Sequence, residues 1–386
     1  MPDIFRWWED EEQLKLLAQR FAAVRLGRRE FLAVVAAAAA AGGYACAPTQ
    51  QPQQPRPEDL GEKLAKEQVF RTNTEQDPAS HDFNKDLYCG GFANLFAGLT
   101  MFDPNFDVRP DIAERWEPNA DGSVWTFYLR KDSRWSNGDP VTAHDFEWSF
   151  KRQLDPRTAA PYAGFLYDLK NAEAVNQKKI DDINAIGVKA NYDYTLVCEL
   201  EGPRGYWPVL TSYIAALPSH RKSVEKYGDA WTDPNKVPEV VSNGPFKLVR
   251  WEHDRVYEVV KNPYYWKAKD IKIERVIVPV IGTAASQLAY ENNEIDWHFR
   301  VPLGEWRRVQ ADPKLSKEII KFDLVGTFYL ELGVKHKPWD DKRVRQAVAH
   351  AIDRERIVNA VLQGLGRPAY TFNPPGWWGF NLRITK

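Results

Sequence analysis

The segment from 135 to 163 constrains the fold of this chain more than any other stretch of its sequence. It begins with Trp-Ser and the Asn-Gly-Asp-Pro sequence at 137–140, which is typical of a tight turn because glycine accepts positive φ and proline fixes its own φ. Thr142 and Asp145 then stand at the spacing of a helix capping box. The pattern predicts a turn that leads directly into a capped helix.

The residues after the capping box have helical spacing. Apolar or small side chains recur at Phe146, Ser149, Phe150 and Leu154, which predicts the buried face of that helix. The Asp-Pro pair at 155–156 ends the helix, since a residue that precedes proline disfavours the helical conformation.

Strand and helix patterns alternate along the rest of the chain. Strands are predicted at 69–74, in a hairpin at 106–130 with its turn at 119–122, and at 187–190, 195–200, 246–260, 273–280 and 327–332. Helices are predicted at 86–98, 218–227, 284–292, 340–350 and 354–363. This interleaving favours an α/β or α+β fold with a two-lobed body over helical repeats or a β-sandwich.

Several other short motifs occur in a fixed order with the 135–163 segment. They lie at 111–117, 125–130, 242–248, 261–266, 293–296 and 341–354. Together these motifs resemble family 5 of the extracellular solute-binding proteins, which are the oligopeptide and dipeptide receptors of ABC importers. The resemblance runs from about Val69 to the end of the chain, and it departs from the family pattern at Asn293, where the family has glycine.

The resemblance implies a periplasmic-binding-protein fold, in which two lobes close on a ligand. Lobe I would comprise residues 66–105 and 218–281, an extra subdomain at 106–217 would be inserted into it, and lobe II would begin at 282. Family members continue well past the motif at 373–376, whereas this sequence ends at Lys386. We therefore expect residues 282–386 to form only part of lobe II, and the chain to be a fragment.

The candidate ligand-binding residues follow from the same resemblance and from what a peptide backbone needs. An extended peptide binds like an added strand, through hydrogen bonds and roomy side-chain pockets. An amide beside a glycine suits this role, although the amide of Asn243 could instead stabilise a turn. Alternation predicts Trp297 and Phe299 on one face and His298 on the other. The full set of candidates is Tyr162, Asn243, Gly244, Trp297, His298, Phe299 and Tyr329.

The N-terminal residues predict export and lipid anchoring. Arg28 and Arg29 form a twin-arginine pattern, and the uncharged run at 31–45 is too short for a membrane helix but suits a signal peptide. Small residues then precede Cys46, as at a lipoprotein cleavage site, and the Pro- and Gln-rich residues at 47–65 read as a tether. The expected location is the periplasm or the outer face of the cytoplasmic membrane. The alternative is a chance arginine pair and a chance cysteine.

The composition and the absence of known motifs argue against several other classes of function. A net charge of −1 gives no support for nucleic-acid binding, and the seven histidines lack paired metal spacing, so we expect no metal and no cofactor. The chain has no hydrolase elbow, Walker loop or dinucleotide fingerprint. Cys89 and Cys198 could form a disulfide, but two buried thiols are the simpler interpretation.

The sequence therefore predicts a monomeric, non-enzymatic receptor that captures an oligopeptide and delivers it to an ABC permease in the cytoplasmic membrane. Two alternatives stay open. One is a secreted hydrolase, and the other is a receptor of the same family for a nickel chelate or an oligosaccharide.

Overall fold

The computed structural model describes residues 65–86, 94–103, 107–321 and 326–375. The strands in these ranges are β1 (Val69–Arg71), β2 (Thr100–Phe102), β3 (Val108–Pro110), β4 (Ala113–Pro118), β5 (Val124–Leu129), β6 (Val188–Tyr192), β7 (Thr195–Glu199), β8 (Phe246–Glu252), β9 (Val256–Lys261) and β10 (Arg275–Pro279).

The α-helices are α1 (Ala143–Leu154), α2 (Ala172–Asn176), α3 (Trp207–Leu210), α4 (Arg221–Tyr227), α5 (Thr283–Glu291), α6 (Trp306–Ala311), α7 (Leu315–Glu318), α8 (Lys342–Ala351) and α9 (Arg354–Arg356). A π-helical segment, Ile357–Val361, follows α9. Short 3₁₀ helices lie at Ala163–Leu166, Ile183–Ala185, Ile214–Ala216, Gly228–Ala230 and Ala268–Asp270.

The strands form two four-stranded sheets and one two-stranded ribbon. The first sheet has the order β1-β10-β9-β8, with β1 parallel to β10 and the other pairs antiparallel. The second sheet has the order β4-β5-β7-β6 and is antiparallel throughout. β2 pairs with β3. Two sheets with helices placed between them in the sequence agree with the predicted mixture of α and β structure.

The predicted hairpins form where the turn residues allow them. Gly122 has a φ of +76° between β4 and β5, a conformation that glycine adopts without the strain of a side chain. β5 alternates between buried and half-buried residues, with Trp125, Phe127 and Leu129 facing the core. The period of two in this strand therefore gives one apolar face, as the sequence predicts.

Helix α1 forms as its capping residues predict. The backbone N–H of Thr142 donates to the Asp145 carboxylate at 2.7 Å, and the helix ends before the Asp-Pro pair. Phe146, Phe150 and Leu154 are completely buried, and α1 packs against β6 and β7. The apolar residues of α1 and of the second sheet belong to one hydrophobic core.

A second core lies in the first sheet. It joins Leu95 to side chains of the β8, β9 and β10 strands, including Leu248, Val259 and Val278.

An ion pair connects α1 to the loop that follows β1, since Arg152 donates to both oxygens of the buried Asp82 carboxylate at 3.1 and 2.5 Å. The indole N–H of Trp231 donates to the same carboxylate at 2.9 Å.

Two predicted elements are wrong where the structure describes them. Residues 94–98 are not helical, because the carbonyl groups of Asn94 and Leu95 accept backbone hydrogen bonds from Phe246 and Gly244. Residues 327–332 are not a strand, although their sequence alternates. An alternating pattern needs a neighbouring strand and a sheet face to bury it, and Phe328 is instead 97% exposed.

Candidate functional site

The distinctive 135–145 segment packs against the residues that precede β8. The N–H of Ser136 donates to the Ser242 carbonyl at 2.7 Å, and the N–H of Ser242 donates to Ser136 Oγ at 3.2 Å. The Trp135 side chain is 1% exposed beneath this contact. The sequence motif thus supports the backbone that carries the candidate binding residues Asn243 and Gly244.

Asn243 uses its side-chain amide on the protein backbone. Its Oδ1 accepts from the Ala97 N–H at 3.1 Å, and its Nδ2 donates to the Ala97 carbonyl at 2.9 Å. The residue is completely buried. The amide therefore acts as a pairing partner for the chain at Ala97, and a direct role of Asn243 in ligand binding stays a prediction.

Gly244 allows two backbone segments to approach each other. A Cβ atom at this position would lie 2.5 Å from the Asn94 carbonyl oxygen, a distance that real Cβ atoms do not show. The Gly244 N–H donates to the Leu95 carbonyl at 2.8 Å, and Asn262 Nδ2 donates to the Gly244 carbonyl at 2.9 Å. The close approach that the sequence suggested is made by residues 94–95 of the same chain.

Tyr162 lies in a cluster of aromatic rings. Its ring centroid is 5.1 Å from that of Phe165 and 5.6 Å from that of Tyr213, and the rings of Phe165 and Tyr213 are 4.6 Å apart. Tyr162 is half-buried, whereas Phe165 is 41% exposed. Phe165 and Tyr213 are not among the residues predicted from the sequence. For Phe165 the available signal was its spacing of three residues from Tyr162, whereas the position of Tyr213 comes from tertiary packing.

One segment of chain connects these candidate residues. Residues 94–97 contact Asn243 and Gly244, as described above. A little further on, Thr100 Oγ1 donates to the Pro208 carbonyl at 2.7 Å, and a Cβ on Gly98 would lie 2.8 Å from the Thr211 carbonyl oxygen. The 208–211 backbone leads directly to Tyr213. A series of direct contacts therefore links the Asn243–Gly244 pair to the backbone that precedes Tyr213, the ring neighbour of Tyr162.

The chain passes beside Arg71 of β1 at Asp296, and the next three residues are Trp297, His298 and Phe299. The Asp296 N–H donates to the Arg71 carbonyl at 2.8 Å, and the Arg71 N–H donates to Asp296 Oδ2 at 2.7 Å. The rings of Trp297 and Phe299 contact each other at 6.0 Å, while the ring of His298 contacts Tyr290 at 5.4 Å. This arrangement agrees with the alternation read from the sequence.

Tyr329 has a different environment from the other candidates. It is 64% exposed, and its ring lies 5.1 Å from that of Phe372. Both residues belong to the chain after 325, where most apolar side chains are exposed. The ligand roles of Tyr329 and of the 297–299 residues stay predictions.

One cluster has the residue types of a nucleophilic site. His220 Nδ1 lies 2.7 Å from Ser223 Oγ, and its Nε2 lies 3.6 Å from the Asp139 carboxylate. Burial lowers the pKa of His220, with the Asp139 carboxylate opposing the shift. Ser223 is only 5% exposed, so a substrate carbonyl has no access to its hydroxyl. The cluster fastens α4 to the 135–145 segment and gives no support for hydrolysis.

Several predicted features concern residues outside the described ranges. Arg28, Arg29, Cys46 and Cys89 all lie there. Cys198 is described and is a buried free thiol, and burial raises its pKa to about 12. Such a thiol is almost entirely protonated at neutral pH and is chemically inert.

The described ranges hold neither a membrane-spanning helix nor a metal-binding cluster. None of the helices in them combines the length and the hydropathy required to span a membrane. Histidine, cysteine and carboxylate side chains in this part of the chain form no group of three that could hold a metal ion.

The comparisons with known proteins agree on one class. Residues 107–386 match the family described as bacterial extracellular solute-binding proteins, family 5. The chain therefore belongs to family 5 of the bacterial extracellular solute-binding proteins. Its structure has the periplasmic-binding-protein fold, as in the solved Haemophilus influenzae OppA.

Three relatives illustrate the similarity. The oligopeptide-binding protein OppA of Bacillus subtilis (strain 168) is 34% identical over 300 residues, which cover 77% of this chain and 54% of OppA. The probable deoxycholate-binding periplasmic protein YgiS of Escherichia coli (strain K12) is 33% identical over 331 residues, which cover 82% of this chain and 59% of YgiS. The solved structure of Haemophilus influenzae OppA in complex with RPPGFSPFR has a TM-score of 0.72 and 33% identity, covering 81% of this chain and 61% of that one. The chain thus spans somewhat more than half the length of these relatives.

Proposed function

We propose that this chain is the substrate-binding receptor of an ABC importer and that it captures extended oligopeptides. The observation that carries the proposal is the likeness, in sequence and in fold, to the Haemophilus influenzae OppA that was solved with a nine-residue peptide. The 34% identity to the oligopeptide-binding protein of Bacillus subtilis supports the same ligand class.

In the proposed mechanism, a peptide enters between two lobes, and closure excludes water from its backbone. Closure is a population shift, because the closed state makes additional contacts with the ligand. Lobe I, with its inserted subdomain, would contribute the surface around Tyr162 and the Asn243–Gly244 unit. Lobe II, from residue 282, would contribute the residues at 297–299 and Tyr329. A supporting observation is that the Arg71 N–H of β1 donates to the carboxylate of Asp296, the residue that directly precedes this segment.

We further propose that Arg28 and Arg29 direct export and that Cys46 carries a lipid. The receptor would then remain a monomer on the outer face of the cytoplasmic membrane, beside the permease that takes its ligand. A Cys46→Ala variant should lose partition into the detergent phase of a Triton X-114 extract, and replacing both arginines with lysine should block export through the twin-arginine route. Unchanged behaviour of either variant would contradict that part of the proposal.

Peptide binding can be tested by isothermal titration calorimetry. Peptides of three to five residues should bind to the purified chain, and mass spectrometry should recover them intact after prolonged incubation. A Ser223→Ala variant serves as a control for the buried Ser–His–Asp cluster and should bind peptide as the wild type does. Cleaved peptide from the wild type and intact peptide from Ser223→Ala would instead support the hydrolase.

A second candidate function has one observation in its favour. The similarity to the probable deoxycholate-binding protein YgiS is close to the similarity to OppA, so a non-peptide solute is compatible with this sequence. A ligand that binds the folded state raises the unfolding temperature, and a concentration a hundred times the Kd adds about 2.7 kcal/mol to the unfolding free energy. A thermal shift with deoxycholate below its micellar concentration, and none with peptides, would favour this candidate.

A further inference from the structure

A buried histidine lies between the loop that follows β1 and the β8–β9 hairpin. The His81 ring meets Trp251 edge-on with centroids 4.6 Å apart and Tyr257 with centroids 5.2 Å apart. Trp251 of β8 and Tyr257 of β9 are cross-strand partners, and burial raises the pKa of the Tyr257 phenol, which is therefore uncharged. Among the described residues, none hydrogen-bonds to either imidazole nitrogen. Packing alone holds this ring, and such packing suits an uncharged imidazole.

The contacts of Asp77 and Asp82 anchor the chain on either side of this ring. One Asp77 oxygen accepts from the Trp251 indole N–H at 2.9 Å, and the other lies 3.0 Å from His253 Nδ1. The Asp82 carboxylate pairs with α1, as described above. The four residues between these anchors, 78–81, therefore join the first sheet to α1, and we call them the clasp.

The clasp is held closed by a few local hydrogen bonds. It contains no helix or strand. The N–H groups of Ala79 and Ser80 both donate to Asp86 Oδ2, at 2.6 and 3.2 Å. The Asp82 N–H donates to Ser80 Oγ at 3.0 Å. The clasp can therefore open without breaking the ladder of either sheet, and the Ala79 and Ser80 amides report whether it is closed.

A proton on the buried ring would find no free partner. The carboxylates that face it are Asp77, Asp86 and Asp233, and the His253 ring opposes a second positive charge. Asp77 and Asp86 make the hydrogen bonds given above, and Asp233 accepts a backbone hydrogen bond and pairs with a lysine. Burial lowers the pKa of His81 to about 4 despite these carboxylates. The closed clasp therefore disfavours the imidazolium, which water would solvate.

We propose that the clasp is a pH-sensitive switch, in which protonation of His81 expels its ring from beside Trp251 and Tyr257 and opens residues 78–81. Both hydrophobic cores stay folded, because Trp251 and Tyr257 remain paired in the β8–β9 ladder and Asp82 remains paired with α1. Acid thus loosens the link between the first sheet and α1. This inference goes beyond the proposed function and does not depend on which ligand binds.

Hydrogen exchange measured by mass spectrometry on the purified full chain tests the switch. Rates are corrected for intrinsic exchange and compared between about pH 8 and pH 5, above the ordinary carboxyl pKa values of about 4. Exchange of the Ala79 and Ser80 amides should rise roughly 30-fold, because the open ring titrates at 6.5 and the closed ring at about 4. Exchange of the β5 amides should not change.

Three variants assign the response to one side chain. His81→Phe keeps an aromatic ring that cannot be protonated, so its clasp should exchange equally at both pH values. His81→Leu tests the same point with a smaller apolar side chain. The matched control is His144→Gln, because His144 is an exposed histidine of α1 that lies 3.4 Å from Asp193, and it should keep the wild-type response. Thermal unfolding at pH 8 establishes that each variant folds.

Three outcomes would overturn the switch. Constant exchange of Ala79 and Ser80 in the wild type would mean that acid does not open the clasp. An equal rise in the two His81 variants would assign the response to another group. A parallel rise in the β5 amides would mean that the whole region unfolds. None of these outcomes bears on peptide binding, since no ligand is present in the experiment.

Discussion

Residues 65–295 and residues 296–375 both contain helices, but the two regions bury their apolar side chains very differently. The first region contains every described strand and both hydrophobic cores. In the second region the described apolar residues that are buried are Trp306, Val309, Leu315 and Val358. Phe328, Tyr329, Leu330 and Phe372 are each more than 60% exposed there.

This difference shows that local sequence signals and the burial of apolar side chains are separate requirements for a stable helix. Helix α8 in the second region has an N-cap, Asp341, whose carboxylate accepts from the Arg343 N–H at 2.8 Å, but the helix has no buried residue. Helix α1 in the first region combines its cap with a completely buried apolar face. Caps and periodicity therefore specify where a helix forms, whereas burial against neighbouring elements supplies most of its stability.

The largest expected effect comes from removing one phenylalanine in each region. Phe146→Ala should lower the unfolding free energy by about 3–5 kcal/mol, because it leaves a cavity in the core beneath the second sheet. Phe328→Ala should change it by less than about 0.5 kcal/mol, because Phe328 is 97% exposed. Urea unfolding of the two variants measures both values. Equal losses would mean that the two regions do not differ in packing.

The next effect is a pH dependence that arises from a buried histidine of the first region. His81 is 1% exposed, and neither of its ring nitrogens has a hydrogen-bond partner. Its ring packs edge-on against Trp251 and Tyr257. Burial lowers its pKa from 6.5 to about 4, although Asp77, Asp86 and Asp233 oppose the shift and His253 adds to it.

Because the folded pKa lies below the unfolded one, the unfolded chain binds the proton first as the pH falls. Stability that is fully present above pH 6.5 should therefore be lost between pH 6.5 and 4, by about 3 kcal/mol in total. His81→Phe should flatten this part of the stability profile, while substitution of the exposed His336 should not. A profile with the same slope in His81→Phe would rule out His81 as its source.

A smaller effect is expected from adding one methyl group to a glycine in each region. Gly244→Ala places a Cβ 2.5 Å from the Asn94 carbonyl oxygen, and separating the two backbones should cost about 1–3 kcal/mol. Gly304→Ala meets no atom within 4 Å, so its unfolding midpoint should match the wild type. If Gly244→Ala were as stable as Gly304→Ala, the packing between residues 94–95 and 244 would be looser than described.

The smallest effect concerns the cap of α8. Asp341→Ala removes the acceptor for the Arg343 N–H, and amide hydrogens of α8 should exchange roughly fivefold faster. Global unfolding should not change measurably, because α8 buries no side chain. A large change in global stability would show that α8 contributes to a core after all.

Elements set by local signals form as the sequence predicts, whereas elements that depend on their neighbours do not. The β4–β5 and β6–β7 hairpins, α1 with its cap, and α5 form as predicted, because turn residues, caps and periodicity act within a few residues of each other. Residues 94–98 and 327–332 differ from the prediction, because their conformation depends on what lies beside them. Residues 94–97 pair with 243–246, whereas 327–332 have no strand beside them in the described ranges.

The candidate site shows the same limit at the level of single residues. The Asn-Gly pair at 243–244 was recognisable as a place of hydrogen bonding and close approach, but the sequence could not say that residues 94–97 would occupy both. Phe165 and Tyr213 were not selected, since 48 residues separate them in the chain and only folding brings their rings to 4.6 Å.

The sequence by itself determined the family, the order of the elements and the positions of caps and turns, because these depend on short motifs and on local hydrogen bonding. The tertiary structure decided which backbone segments satisfy Asn243 and Gly244, which rings join Tyr162, and which apolar residues are buried. These outcomes depend on contacts between distant residues, and burial is a property of the packed surfaces rather than of any one pattern.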